Sequence, residues 1–229
     1  MITDEQYESL FAFCRKHYVQ YYDVQIELAD HLSAAIEERI SNNPKLNFEQ
    51  ALDSVYAGFG IKGFADIVAT REKMVYKQCK KQKWRLFFSY FTVPKVAMTI
   101  CIYAAILLIG KMFVQDYHRI ALLSAIGFCL IIFEIIHSIK ASKLFKHQIK
   151  AMLYTGDRLN GLISSSVIIQ ITLSSRISKV IDLNQFNYFD YAIISFILLL
   201  LFVNMLAHRD FVKELYNSAI QKYPLAFSK

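Results

Sequence analysis

Two small groups of side chains in this 229-residue chain have the types and spacing that chemistry requires. The first is Glu27, Asp30 and His31, with Glu37 two turns further on. Glu27 and His31 are four residues apart on one helix face, a spacing that can chelate a cation. One helical turn does not close a coordination sphere, so a second helix would have to contribute. The plainer reading is a solvated acidic face with a Glu27–His31 pair, contributing a few tenths of a kcal/mol. We adopt that reading, assign no metal, and take Glu27, Asp30, His31 and Glu37 as candidates for binding a protein partner.

The second group lies inside apolar stretches, where ionisable residues are functional candidates by default. Glu134 and His137 are three residues apart on one face. Both lie within about two turns of Lys140, at ~1.5 Å of rise per residue. Asn204 and His208 lie at similar depth in another stretch, and Gln170 nearer the middle of a third. The sharp reading of Glu134, His137, Gln170 and Asn204 is a proton- or cation-handling site, or a polar groove for a partner helix. The plain reading is an interhelical hydrogen-bond cluster, each bond worth about 0.6 kcal/mol. A single Glu-x-x-His is too little for a di-metal carboxylate site, which needs that motif on two helices. The chain has no P-loop, no G-x-S-x-G, no H-E-x-x-H and no glycine-rich dinucleotide turn. No catalytic residue and no cofactor are assigned.

Helices must position both groups. In the N-terminal part, Thr3 and Gln6 have the spacing of a capping box and open a helix over about residues 4–18. A second helix runs over about 23–41, with Val24, Leu28, Leu32 and Ile36 at helical spacing, and Asn42, Asn43 and Pro44 stop it. Asn47 and Gln50 open a third, which Phe59-Gly60 ends, Gly60 suiting a left-handed cap. A fourth starts near Gly63 and runs toward Trp84. This soluble domain occupies residues 1–75, near the lower size limit for a free-standing core. Support from the membrane bundle or a partner is therefore expected.

The pattern Glu27-x-x-Asp30-His31-Leu32, then Ile36-Glu37, Phe48-x-x-Ala51-Leu52 and Phe59-Gly60, resembles the HAAS-type and permease-prefix helical domains. Those domains precede membrane spans in many bacterial proteins. The resemblance covers about residues 20–70 and lacks the usual glycine in the Asn42–Asn47 turn. It implies a bacterial protein that signals to or regulates a membrane partner, with no catalytic residues carried over.

After residue 75 the character changes. A basic and aromatic juxtamembrane helix is expected over 76–92, then a four-span bundle over 93–208. The spans fall at about 94–113, 120–139, 159–175 and 191–207. Three of them fit the ~17–25 apolar residues a spanning helix needs. The third carries Ser164, Ser165, Ser166, Gln170, Ser174 and Ser175. It reads either as a span shielded within the bundle, with Gly161 and Ser165 at small-xxx-small spacing, or as a re-entrant helix. Phe211, Val212, Leu215 and Ala219 then make an amphipathic tail over 209–229, suited to an inner leaflet.

Charge orients this layout. The first 70 residues hold 11 acids and 5 bases, while the remainder carries a net charge of +13. With four spans, 16 of the cations fall in segments on one side and 4 on the other. The positive-inside rule then puts both termini in the cytoplasm. The bases flank apolar spans, so a nucleic-acid partner is not expected. Asp4, Glu5 and Glu8 occupy the place of a secretion signal's basic start, so no signal peptide is expected. Cys14, Cys79, Cys101 and Cys129 have no metal-like spacing, and no disulfide framework is expected.

The expected protein is thus all-α and multi-pass in the bacterial cytoplasmic (inner) membrane. Its leading function is regulatory or scaffolding: the cytoplasmic helical domain binds a protein partner, and the bundle anchors it or joins a membrane complex. The alternative is a small transporter or membrane enzyme built on Glu134, His137, Gln170 and Asn204. A structural subunit of a homo-oligomer is a third reading. The expected partners are the lipid bilayer, a membrane or cytoplasmic protein, and a second copy of the chain.

Overall fold

Where apolar residues recur at helical spacing, the chain folds as helix. A computed structural model describes residues 2–145, 150–152 and 186–227. Seven α-helices lie among the described residues: α1 Asp4–Lys16, α2 Tyr22–Asn42, α3 Phe48–Ala57, α4 Ala65–Ser89, α5 Lys95–Met112, α6 Asp116–Phe145 and α7 Tyr188–Lys222. The third expected span, 159–175, and Gln170 within it lie outside the described residues.

The chain divides into two compact units. In the first, both expected capping boxes form. Thr3 Oγ1 accepts from the Gln6 N–H at 3.2 Å and Gln6 Oε1 accepts from the Thr3 N–H at 3.0 Å. Asn47 and Gln50 make the same reciprocal pair at 2.8 and 3.2 Å. Each box satisfies two of the four backbone donors that a helix start leaves unpaired. α1 ends earlier than expected, at Lys16, because Tyr18 turns into the left-handed region at φ 65°. α3 ends at Ala57, and Gly60 follows at φ 71°. At Gly63, φ is 52° and a Cβ would lie 2.4 Å from the Tyr56 hydroxyl, so only glycine fits. That turn seats Phe64 among Phe13, Tyr56 and Phe59, with ring centroids 5.0–6.2 Å from its own.

Leu10, Cys14, Leu28, Leu32, Ile36 and Ala51 form the centre of the first unit's core. Residues distant in sequence complete it. Met152, Tyr223 and Ala226 are buried in the same core. The Tyr22 N–H donates to the Ala151 carbonyl at 2.7 Å, and the Lys150 N–H to the Ala226 carbonyl at 3.4 Å. The Lys150 ammonium sits 4.0 Å above the Tyr22 ring. The unit therefore comprises the first 79 residues together with the described parts of 147–156 and 219–229. A domain near the lower size limit gains apolar area this way.

The second unit holds the spans. α5, α6 and α7 are each long and apolar enough to cross a membrane. Their large apolar side chains face outward: Met98, Ile100, Leu108 and Phe128 are each more than 60 % exposed. In water such surface would drive aggregation; against lipid it costs nothing. This chain is a membrane protein. α6 and α7 extend well beyond the expected spans of 120–139 and 191–207. Along α7, the four side chains expected on a leaflet, Phe211, Val212, Leu215 and Ala219, are instead buried within protein.

At one end of the unit, tyrosines of α7 fix its register on α5. Tyr191 donates to the Ile106 carbonyl at 2.7 Å, Tyr188 to that of Leu107 at 3.1 Å, and Tyr103 of α5 to that of Ala192 at 3.1 Å. Arg119 caps α5, donating to the carbonyls of Gly110 at 3.0 Å and Phe113 at 2.7 Å. A cation on free C-terminal carbonyls satisfies them and opposes the helix dipole. At the other end, α4 docks on α7. Gln82 and Arg85 donate to Glu214 at 2.7 and 3.1 Å, and Tyr90 donates to Asp210 at 2.7 Å.

Candidate functional site

The acidic face of α2 divides by helical phase into two sets with different partners. Asp30 and Glu37 face α1. Asp30 accepts from the Tyr7 hydroxyl at 2.5 Å, and Glu37 accepts from the Ile2 N–H at 2.8 Å. Burial, reinforced by Asp30, pushes the Tyr7 hydroxyl pKa up to about 12. These two carboxylates hold α1 in place. Glu27 and His31 face α4 instead, where they border a groove of about 590 Å³.

That groove has an apolar floor and charged walls. Val24, Leu28 and Ile67 line it, with Met74 45 % exposed at its edge. Glu27 is paired with Arg71 of α4, half withdrawn from solvent. The guanidinium is planar and suits a carboxylate, whereas His31 stands exposed beside the pair without closing on it. Asp66 lies on the opposite wall, paired with Lys62 at 3.5 Å. Among the described residues no cluster of three His, Cys, Asp or Glu side chains is disposed to hold a metal ion. An apolar floor with fixed charges at its edge suits an amphipathic segment of another chain.

The second unit gathers the polar residues of its spans. Glu134 is 5 % exposed and His208 3 % exposed. The rings of His137 and His208 stand 6.2 Å apart, centroid to centroid. Both ring nitrogens of His208 are buried without a hydrogen-bond partner among the described residues. Asn204 lies one turn before His208 on α7, half-buried. Lys83 of α4 joins them, within the electrostatic reach of Glu134 and His208. Burial lowers the Lys83 pKa, and the charge of Glu134 opposes that shift. His137 also senses Lys140, Arg209, Lys213 and Asp210.

Thus the structure unites Glu134 and His137 with His208 and Lys83. The sequence noted the depth of His208 but did not select it, and it missed Lys83. The signal for Lys83 was present in the register of α4. Val75, Cys79 and Lys83 recur every four residues, and Val75 and Cys79 are buried. A lysine that continues a buried stripe is expected to turn inward. Buried unpaired polar atoms are rare, and each one in a folded protein calls for an explanation.

Comparison of the chain with family models, curated proteins and solved structures returned no match.

Proposed function

We propose that this is an integral membrane regulatory or scaffolding protein whose helical N-terminal unit binds a protein partner in the α2–α4 groove. The carrying observation is the groove itself: an apolar floor, the fixed Glu27–Arg71 pair and the exposed His31 at its edge. In this reading the bundle anchors the unit or joins a membrane complex, as the HAAS-type resemblance implies for a bacterial cytoplasmic membrane. Photo-crosslinkers placed at His31 and Met74 of the full chain in its native membranes test it. Both positions should capture the same protein, and Thr70→Trp, which fills the groove from an exposed position on its wall, should abolish capture. Crosslinks to lipid only, or capture that Thr70→Trp leaves intact, would refute the groove as the docking site.

The same reading gives the chain four spans with both termini in the cytoplasm. Two observations support it. Cations concentrate in the segments that would face inward. The N-terminal helices, residues 150–152 and the C-terminal residues share one core, which supports their lying on one side of the bilayer. In a variant lacking the native cysteines, Gln115→Cys and Asn187→Cys should react with an impermeant maleimide from outside, and Leu225→Cys should not. Outside labelling of Leu225→Cys would sink the four-span reading.

A second reading, a small transporter or membrane enzyme, is favoured by one observation: neither buried ring nitrogen of His208 has a hydrogen-bond partner among the described residues, with His137 and Lys83 nearby. An imidazole so placed inside a span can exchange a proton. Glu134→Gln discriminates. If the host system's activity survives Glu134→Gln yet fails with Thr70→Trp, the bundle is an anchor. The opposite pattern favours transport or catalysis.

A further inference from the structure

α4 carries an outward stripe that neither the groove nor the polar cluster uses. At 3.6 residues per turn, Lys73, Lys77, Lys80, Lys81, Trp84 and Phe88 fall within roughly a 100° arc of the helix. All six are exposed, with Trp84 at 51 % and Phe88 at 60 %. The opposite side carries the buried Val75 and Cys79 and the docking contacts of Gln82. The stripe is therefore the face of α4 turned away from the other described residues.

Its order along the helix is as informative as its exposure. The four lysines come first, and the aromatics follow as the chain approaches α5. From Lys80 to Phe88 the helix rises about 12 Å, so the lysines and the rings occupy successive turns of one face. Trp84 and Phe88 stack with centroids 5.7 Å apart, and Phe87 meets both rings edge-on at 5.5–5.6 Å. Exposed stacked rings of this kind suit the boundary between headgroups and acyl chains, where an amphipathic ring has one wet edge. The lysine ammonium groups, on long flexible stems, then reach the phosphates.

Among the described residues none of the four lysines forms an ion pair, whereas Arg85 on the flank is paired with Glu214. Four ammonium groups within nine residues repel one another. A zwitterionic headgroup brings no net charge to relieve that repulsion; an anionic one does.

We infer that the Lys73–Phe88 stripe of α4 is a binding surface for anionic phospholipid, with the lysines on the headgroups and Trp84–Phe88 at the acyl boundary. The stripe holds α4 to a leaflet that carries net negative charge. It is independent of whatever occupies the α2–α4 groove.

Trp84 is the chain's single tryptophan, so its fluorescence reports this surface alone. The full chain is placed in nanodiscs of phosphatidylcholine and phosphatidylglycerol, with bromine carried on the acyl chains of one lipid or the other. A lysine near an anionic surface favours anionic lipid roughly fivefold. Brominated phosphatidylglycerol should therefore quench Trp84 at least about threefold more per mole than brominated phosphatidylcholine. The combined Lys73→Gln, Lys77→Gln, Lys80→Gln, Lys81→Gln variant should keep its quenching but lose the preference. The corresponding four Lys→Arg changes should retain it. Far-UV helicity of each variant checks that the fold persists. Equal quenching by the two lipids in the unaltered chain would overturn the inference. So would the absence of quenching by either, which would set Trp84 against water or another protein, or a preference that survives the four glutamines.

Discussion

Adding one methyl group at Gly110 tests how α5 and α7 meet. A Cβ there would lie 2.2, 2.5 and 2.9 Å from ring carbons of Tyr191. Tyr191 is wholly buried, so its ring cannot swing into open space. Overpacking of this kind costs about 1–3 kcal/mol. Displacing the ring also endangers the bond from its hydroxyl to the Ile106 carbonyl, worth about 0.5–1.5 kcal/mol. Against this, alanine is a better helix former than glycine by roughly 0.5–1 kcal/mol. Gly110→Ala should therefore destabilise the full chain by about 2 kcal/mol. In a Tyr191→Ala background the clash is absent and only the helix gain remains, so the sign should reverse to a stabilisation of roughly 0.5–1 kcal/mol. The coupling between the two sites follows as about 2–3 kcal/mol, within the range for residues in contact. Equilibrium unfolding of the four proteins in mixed micelles measures it. If Gly110→Ala stabilises the unaltered chain, or acts equally in both backgrounds, the close approach of α5 to Tyr191 is refuted.

Three further outcomes are expected in the N-terminal unit. Thr3→Ala and Asn47→Ala each remove the acceptor of a capping box and should each cost about 1 kcal/mol, read from denaturant midpoints. Burial pushes the Cys14 thiol pKa up to about 11 and raises that of Cys79; both should resist maleimide at pH 8 until the unit unfolds, so that the labelling and unfolding curves coincide. The Tyr7 hydroxyl, with its pKa near 12 in the folded state, titrates later than an unfolded tyrosine at about 10. Its contribution to stability is complete below pH 10 and is lost as pH rises toward 12. Tyr7→Phe should lower stability at pH 8 and flatten that part of the alkaline decline; an unchanged slope between pH 10 and 12 would contradict the Tyr7–Asp30 bond.

Features decided by neighbours in the chain were legible before the structure. Both capping boxes depend on residues three apart, and both formed as read. The spans at α5, α6 and α7 announced themselves through hydropathy, because a helix in lipid must be apolar over its whole length. Helix ends in water carry no such signal. Hydropathy placed the ends of two spans near 139 and 207, whereas α6 and α7 run on to Phe145 and Lys222 because protein packing supports the extra turns.

The acidic motif with which the reading began was visible as residue types, but not as roles. Glu27, Asp30, His31 and Glu37 share one helix, and the sequence by itself identified their spacing. Only the tertiary structure decided that Asp30 and Glu37 meet α1 while Glu27 and His31 meet the groove, because the division depends on which helix packs at each angle around α2. The same holds for Met152, Tyr223 and Ala226. Nothing local marks them as core for helices more than a hundred residues away; the chain's return to that core does. Lys83 belongs with them: a charge on a basic helix reads as solvated until the helix docks, and docking turns that one position inward beside Glu134 and His208.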